Sequence, residues 1–333
     1  MSSNLKYAVF GSGSWATAII KMLCENLDEV GWFIRKQQSI DYILSEKHNP
    51  SYLSSVELHT SKLKLASDIN NLADYADILI FAIPSAFVEI ELSKLKIDVS
   101  SKIVVSAVKG IIPETGHLVG EHFQKKYEIK TQNSVVLAGP CHAEEVALER
   151  LSYITVACAN SSIANEIAEQ LSSNYIKTNT SDDVIGAEYA AMIKNVYAIS
   201  AGIAHGLGYG DNFQSVLMSS ATREMKRFIK KAHKKKRNIN ETVYLGDLLV
   251  TCYSLFSRNR MFGNMIGKGY TVKSAQMEMS MIAEGYYATK SAYQINKSQK
   301  TPAKMPIVDT VYEILYFEKD AKRAFKKLAE KIS

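Results

Sequence analysis

In the first half of the chain, short β-branched apolar runs alternate with segments whose apolar residues are spaced as on a helix. Tyr7–Phe10 reads as a strand, residues 15–23 carry helical spacing, and residues 30–34 read as a second strand. This is a βαβ unit, in which a helix joins two parallel strands. Further strands are predicted at 78–83, 103–108 and 135–137, with 154–157 and 175–177 extending the sheet. A run such as Ile78-Leu79-Ile80-Phe81-Ala82-Ile83 has no polar face, as expected of a strand covered by helices on both sides. From about residue 181 the pattern becomes long, helical and rich in alanine, methionine and leucine, with no convincing alternation through to 333. The expected class is α/β: a doubly wound, mostly parallel sheet in 1–185, then an all-α domain in 186–333. No internal repeat is visible.

Composition supports a folded chain of about two domains, at roughly 150 residues each, for the 333 present. A hydrophobic share of 47%, with 17 glycines and six prolines, excludes collagenous and low-complexity bodies. The four cysteines, Cys24, Cys141, Cys158 and Cys252, are widely separated, which argues against a zinc ribbon, a redox pair or a disulfide framework. Reduced thiols, no metal site and a cytoplasmic location are expected, since the first residues also lack a secretory leader pattern. Residues 184–210, the most apolar long stretch, are interrupted by Glu188, Lys194, His205 and glycines, so no membrane span is predicted.

The formal net charge of +6 is local in origin, because residues 226–237 hold eight lysines and arginines and no acid. Such a run reads as a solvated helix end or loop, and nucleic acid is not an expected partner, since neither interleaved aromatics nor a known module accompanies it.

Gly11-Ser12-Gly13-Ser14-Trp15-Ala16 is a G-x-G-x-x-A pattern between strand and helix, the context that dinucleotide binding requires. Gly11 permits the tight turn, Gly13 lets a pyrophosphate approach the backbone, and Ala16 is small enough for helix-to-strand packing. Ser14 and Trp15 stand at the helix start, where unpaired N–H groups attract phosphate. These features point to a Rossmann-type sheet and an NAD or NADP cofactor, rather than to a glycine turn that merely joins strand to helix. The second strand ends in Arg35 and Lys36, where an NAD-selective site would place an acid. Two cations there favour an adenosine 2′-phosphate and hence NADPH, or are simply solvated charges.

Further segments, read together, resemble the NAD(P)-dependent glycerol-3-phosphate dehydrogenase family of bacterial type. They are Phe81-Ala82-Ile83-Pro84-Ser85, Ser106-Ala107-Val108-Lys109-Gly110-Ile111 and Ala138-Gly139-Pro140-Cys141-His142-Ala143-Glu144-Glu145-Val146. Ile193-Lys194-Asn195-Val196, Gly206-Leu207-Gly208, Leu245-Gly246-Asp247-Leu248, Ser257-Arg258-Asn259-Arg260 and Ala283-Glu284-Gly285 continue the series over nearly the whole chain. The resemblance implies reversible reduction of dihydroxyacetone phosphate to sn-glycerol 3-phosphate in a cleft between the domains, the supply of glycerophospholipid backbones, and a homodimer.

Hydride addition to a ketone builds negative charge on oxygen, so the site needs a cation or proton donor there. Lys194 lies in an otherwise apolar helix and is the expected general acid for reduction and base for oxidation; a lysine snorkelling to the surface is the bland alternative. Lys109 lies at the carboxyl edge of a strand, where a lysine is often simply solvated; the resemblance of Lys109-Gly110-Ile111 to the family implies that it polarises or holds the substrate and touches the cofactor. Asp247 sits in an apolar segment that demands a partner, and orients Lys194, holds a substrate hydroxyl, or caps a helix. By resemblance, Ser257, Arg258 and Asn259 bind the substrate phosphate, Gly139 and Cys141 contact substrate, and Ala143, Arg258, Ile282 and Glu284 contact cofactor.

Cys141 stands where serine or threonine is commoner in the family, so a backbone contact survives there and a hydroxyl contact does not. His142 and His205 are expected to be structural or solvent-facing. Residues 238–244 lack the family's glycine-rich approach to Asp247, which puts that loop's shape in question. Two other functions remain open: a two-domain reductase of a different keto or hydroxy acid, and a non-catalytic dinucleotide sensor.

Overall fold

A computed structural model of the protein describes residues 5–279 and 283–332. The chain forms two compact units, Met1–Ala187 and Glu188–Ser333, and the division falls within one helix, Val184–Gly206.

The first unit is built on one eight-stranded sheet. Its strands are β1 (Tyr7–Phe10), β2 (Val30–Phe33), β3 (Leu63–Ala66), β4 (Ile78–Phe81), β5 (Ile103–Ser106), β6 (Ser134–Ala138), β7 (Ser152–Cys158) and β8 (Ile176–Ser181), in the order β3-β2-β1-β4-β5-β6-β7-β8. All neighbours are parallel except β6 and β7. The sequence order reverses beside β1, between β2 and β4, which is the switch point where open α/β sheets bind ligands.

Strands β1, β2 and β4 are buried along their whole length. Alternate side chains feed two separate cores. Tyr7, Val9, Trp32 and Ile80 enter one, and Ala8, Phe10, Phe33 and Phe81 enter the other, where Phe10 stacks on Phe81 at 4.7 Å. With both faces covered, the continuous apolar run is the only workable sequence for these strands.

Three details depart from the sequence expectation. The strands at 78 and 103 stop at Phe81 and Ser106, two residues early, because the chain leaves the sheet there to begin the turns that carry Pro84 and Lys109. Strand β3 was not predicted: Leu63-Lys64-Leu65-Ala66 is half exposed at the sheet edge, where the apolar signal is weak. Strand β8 runs to Ser181, and the polar residues of its Ile-Lys-Thr-Asn-Thr-Ser sequence are those of an outer strand.

Among the described residues of the second unit, every regular element is a helix. Val184–Gly206 and Asp211–Ala232 are the long members, followed by Asp247–Tyr253, Arg258–Gly267, Val272–Glu278, Glu284–Ser298, Pro306–Phe317 and Ala321–Ala329. Helices Val184–Gly206 and Arg258–Gly267 approach so closely that a Cβ at Gly202 would overlap the Arg260 carbonyl, and one at Gly263 the Ile199 carbonyl. Gly206 and Gly267 meet in the same way, so two Gly-x-x-x-Gly rows form the crossing. Glu224 caps another helix from a distance, its carboxylate accepting the N–H groups of Ile307 and Val308 at 3.0 and 2.9 Å.

Candidate active site

In the first unit, the glycine turn follows β1 directly. Gly11 has φ +129°, and a Cβ there would lie 2.5 Å from the Ala82 carbonyl oxygen, so both backbone conformation and space demand glycine. A Cβ at Gly13 would meet nothing within 4 Å, which leaves the approach to the backbone open. Helix Ser14–Asn26 begins at Gly13 with no side-chain cap and no acid in its first turn. Its first N–H groups and positive dipole end are therefore available to an anion.

The turn is braced by a residue with no sequence signal of its own. Asn49, buried, donates to the Ser12 carbonyl at 3.1 Å and to Thr17 Oγ1 at 2.8 Å, while its Oδ1 accepts from the N–H groups of Ser51 and Tyr52. Beside it lies a cavity of about 160 Å³ lined by Ser12, Ile34, Arg35, Lys36, Ser39, Ile43, Asn49, Ser51 and Tyr52. Arg35 is largely exposed and lies 3.6 Å from the buried Glu91 carboxylate, which Lys94 also contacts at 2.7 Å. An exposed bridge of that length contributes little, so Arg35 is not committed to Glu91. The uncapped helix start, the open side of Gly13 and the two cations at the cavity fit a phosphorylated dinucleotide.

Lys109 follows β5, with its Nζ 5.2 Å from the Trp15 ring centroid, which brings it beside the glycine turn. Gly139 and Cys141 occupy the turn between β6 and helix Ala143–Ala147, which Ala143 opens. Cys141 is buried in the core, as are the other three thiols, and none of the four is in a disulfide. His142 is partly buried just before that helix, and His205 is exposed.

In the second unit, Lys194 is 2% exposed within a helix whose neighbours from Ala190 to Ala198 are buried. Its Nζ forms an ion pair with Oδ1 of Asp247, also 2% exposed. The segment before Asp247 forms a wide π-helical turn, Thr242–Gly246, that runs straight into helix Asp247–Tyr253. Asp247 is thereby the first residue of that helix, and its carbonyl accepts from Thr251 Oγ1 at 2.6 Å. Cys252 lies within electrostatic reach of the pair: burial pushes its thiol up while Lys194 and Arg260 pull it down, so it remains a neutral neighbour.

Asn259, Asn195 and Gly285 also converge. The Asn259 Oδ1 accepts the Gly285 N–H at 2.9 Å, and a Cβ at Gly285 would lie 2.7 Å from the Asn195 carbonyl. Ser257 caps helix Arg258–Gly267, its Oγ accepting the Arg260 N–H at 3.3 Å. Arg258 is exposed at that helix start, between buried Ser257 and Asn259. Glu284 opens helix Glu284–Ser298, whereas Ile282 lies outside the described residues.

The family models settle the relationship. The N-terminal model of NAD-dependent glycerol-3-phosphate dehydrogenase matches residues 6–175, and the C-terminal model of the same enzyme matches 183–326. This chain belongs to the NAD-dependent glycerol-3-phosphate dehydrogenase family. A glycerol-3-phosphate dehydrogenase [NAD(P)+] of Enterococcus faecalis is 35% identical, covering 97% of this chain and 95% of the relative. One from Bacillus pumilus is 33% identical, covering 98% and 94%. Among solved structures, the glycerol-3-phosphate dehydrogenase of Coxiella burnetii superposes with a TM-score of 0.88 at 26% identity, over 98% of this chain and 99% of that one.

Sequence reasoning missed Asn49, Thr17, Glu91, Cys252 and the glycine crossing of this glycerol-3-phosphate dehydrogenase family member. The Gly-x-x-x-Gly spacing at 202/206 and 263/267 was there to be read. Asn49 and Glu91 carry no local signal for these roles, because the partners that tie them to the site, Ser12 and Thr17 for Asn49 and Arg35 for Glu91, are distant in sequence.

Proposed function

We propose that the protein catalyses the reversible, NAD(P)H-dependent reduction of dihydroxyacetone phosphate to sn-glycerol 3-phosphate, supplying glycerophospholipid backbones. The observation that carries this reading is the buried Lys194–Asp247 ion pair. Isolating two charges from water costs several kcal/mol per ion, which pairing recovers only in part. A chain that keeps such a pair inside an apolar helix gains something other than stability from it.

The reduced nicotinamide, when bound, supplies the hydride. The chain supplies the rest. Lys194 Nζ gives a proton to the carbonyl oxygen as negative charge develops there, and takes it back in the oxidative direction. Asp247 holds the ammonium in one orientation, and their burial excludes water that would screen it. Lys109 polarises and holds the substrate. Ser257, Arg258 and Asn259 take the phosphate, with Ser257 able to donate its hydroxyl proton while its oxygen caps the helix.

Cys141 contributes through its backbone N–H, since its thiol is packed in the core. Gly11, Gly13, Ser14 and Trp15 hold the pyrophosphate, Arg35 and Lys36 the adenosine 2′-phosphate, and Ala143, Arg258, Ile282 and Glu284 the rest of the nucleotide. NADPH is then used at least as well as NADH. The enzyme works in the cytoplasm as a homodimer.

Loss of nicotinamide absorbance with dihydroxyacetone phosphate, run with NADH and NADPH in parallel, tests this directly. Turnover of a different keto acid instead would transfer the protein to another reductase class. Dinucleotide binding without turnover of any triose phosphate would make it a sensor.

A further inference from the structure

The basic run at 226–237 has no part in the dehydrogenase reading, and the structure gives it a definite shape. Its first half forms the end of helix Asp211–Ala232, where Phe228 and Ile229 are buried and Lys226, Arg227, Lys230 and Lys231 are exposed. These four make two i,i+4 pairs of like charge on one helix face, an arrangement that repels. Beyond Ala232 the backbone is irregular and exposure alternates, so Lys234 and Lys236 face solvent.

The loop is tied down rather than loose. Arg237 donates to the His233 carbonyl at 2.8 Å and to the Lys235 carbonyl at 3.4 Å, and its guanidinium lies 2.8 Å from His233 Nδ1. Lys231 donates to Thr301 Oγ1 at 2.7 Å and Arg227 to the Lys304 carbonyl at 3.0 Å. These two bonds bring exposed Lys300 and Lys304 to the border of the patch. The helix C-terminus offsets part of the repulsion for Lys230 and Lys231, but Lys234 and Lys236 lie beyond it.

A fixed cluster of like charges with no acid in the run is complementary to a surface of many anions. Six of its eight cations are lysines, point charges without the planar fork that arginine offers to individual phosphates or bases. Phe228 is buried, and the half-buried His233 ring is engaged by Arg237, so the run presents no freely exposed ring to stack on a base. A bilayer rich in anionic lipid asks for neither; it attracts clustered lysines by charge alone.

We infer that this face docks the protein reversibly on anionic lipid surfaces. The attachment is electrostatic and salt-sensitive, and it is independent of the catalytic reading. No helix among the described residues is long and apolar enough to cross a membrane, so the association is peripheral.

The test is co-sedimentation of the full chain with vesicles of phosphatidylcholine alone and of phosphatidylcholine mixed with phosphatidylglycerol, at low and physiological salt. The expected result is binding to the anionic vesicles only, weakened by salt. Replacing Lys230→Glu, Lys234→Glu and Lys236→Glu together should reduce partitioning by at least about 100-fold. A control with the same charge change at exposed Lys96, Lys130 and Lys177 of the first unit should retain most of it. Absence of binding to anionic vesicles would overturn the proposal, as would equal loss in both triple variants. Tighter binding to duplex DNA than to the vesicles at the same salt would overturn it in favour of a nucleic-acid partner.

Discussion

In the reaction proposed above, the glycine turn of the first unit and the ion pair of the second would meet different demands by opposite means. The turn is made of backbone: a positive φ at Gly11, open space at Gly13, an uncapped helix start, and an asparagine that spends its whole side-chain amide on bracing. The ion pair is made of charged side chains withdrawn from water, Lys194 against Asp247, each almost fully buried. A pyrophosphate needs N–H donors at fixed positions, which backbone provides cheaply and which most side-chain changes nearby leave intact. A developing alkoxide needs a mobile proton and a strong local field, which only an ionisable group in a dry place provides. The first region should therefore fail by losing shape, the second by losing chemistry.

The largest effect is expected at Lys194. Replacing it with methionine should lower turnover by about 10²- to 10⁴-fold while nucleotide affinity stays put. The same change strands the Asp247 carboxylate and should cost about 3–5 kcal/mol of stability in denaturant titration. Adding Asp247→Leu should recover most of that stability and none of the activity. Recovery of both would reduce the pair to a structural feature and erase the contrast.

Arg35 and Lys36 sharpen the comparison from the other side. Replacing both with alanine should weaken NADPH by about 10- to 100-fold, the value of losing charge-assisted contacts, and leave NADH unchanged. Nucleotide titration by fluorescence quenching measures both. Asn49→Ala should instead weaken NADH and NADPH by the same factor, with about 1–3 kcal/mol lost in stability, because it loosens the turn both share. A cofactor-selective effect at Asn49 would mean that it reads the nucleotide rather than shaping the turn.

The core strands and the glycine turn were legible in the sequence because their signals are local. A run like residues 78–81 can only be a strand sealed on both faces, and G-x-G-x-x-A after a strand has few other uses. Edge strands β3 and β8 were shortened or overlooked because half-exposed strands do not need apolar residues. In the second unit, Lys194 and Asp247 stood out as charges in apolar segments that demand partners, and their contact was one of the roles expected of Asp247, although 53 positions separate them and no local pattern fixes the pairing. The π-helical turn that leads into Asp247 was invisible, since Thr242-Val243-Tyr244-Leu245-Gly246 carries no local signal for it. Local signals give elements; long-range pairings wait for the fold.

The smallest effect concerns Glu224, a further buried ionisable group in the second unit. Burial pushes its carboxyl from an ordinary 4.5 up to about 8, against the pull of the Ile307 and Val308 N–H groups and Arg227. Because the folded state holds this proton more tightly than the unfolded chain, its contribution to stability is present in full below about 4.5 and is lost as pH rises through about 8. Glu224→Gln should flatten that part of the stability profile, measured by thermal unfolding across the window. An unchanged slope would assign it to other groups.

The central claim is that the Lys194 ammonium protonates the substrate carbonyl oxygen. It is tested most directly by single-turnover oxidation of NADPH by dihydroxyacetone phosphate in Lys194→Ala, with and without added small primary amines. The account predicts a hydride-transfer rate lowered by about 10²- to 10⁴-fold, partly restored by the amines, with native nucleotide affinity. A near-native rate in the absence of amine would contradict it.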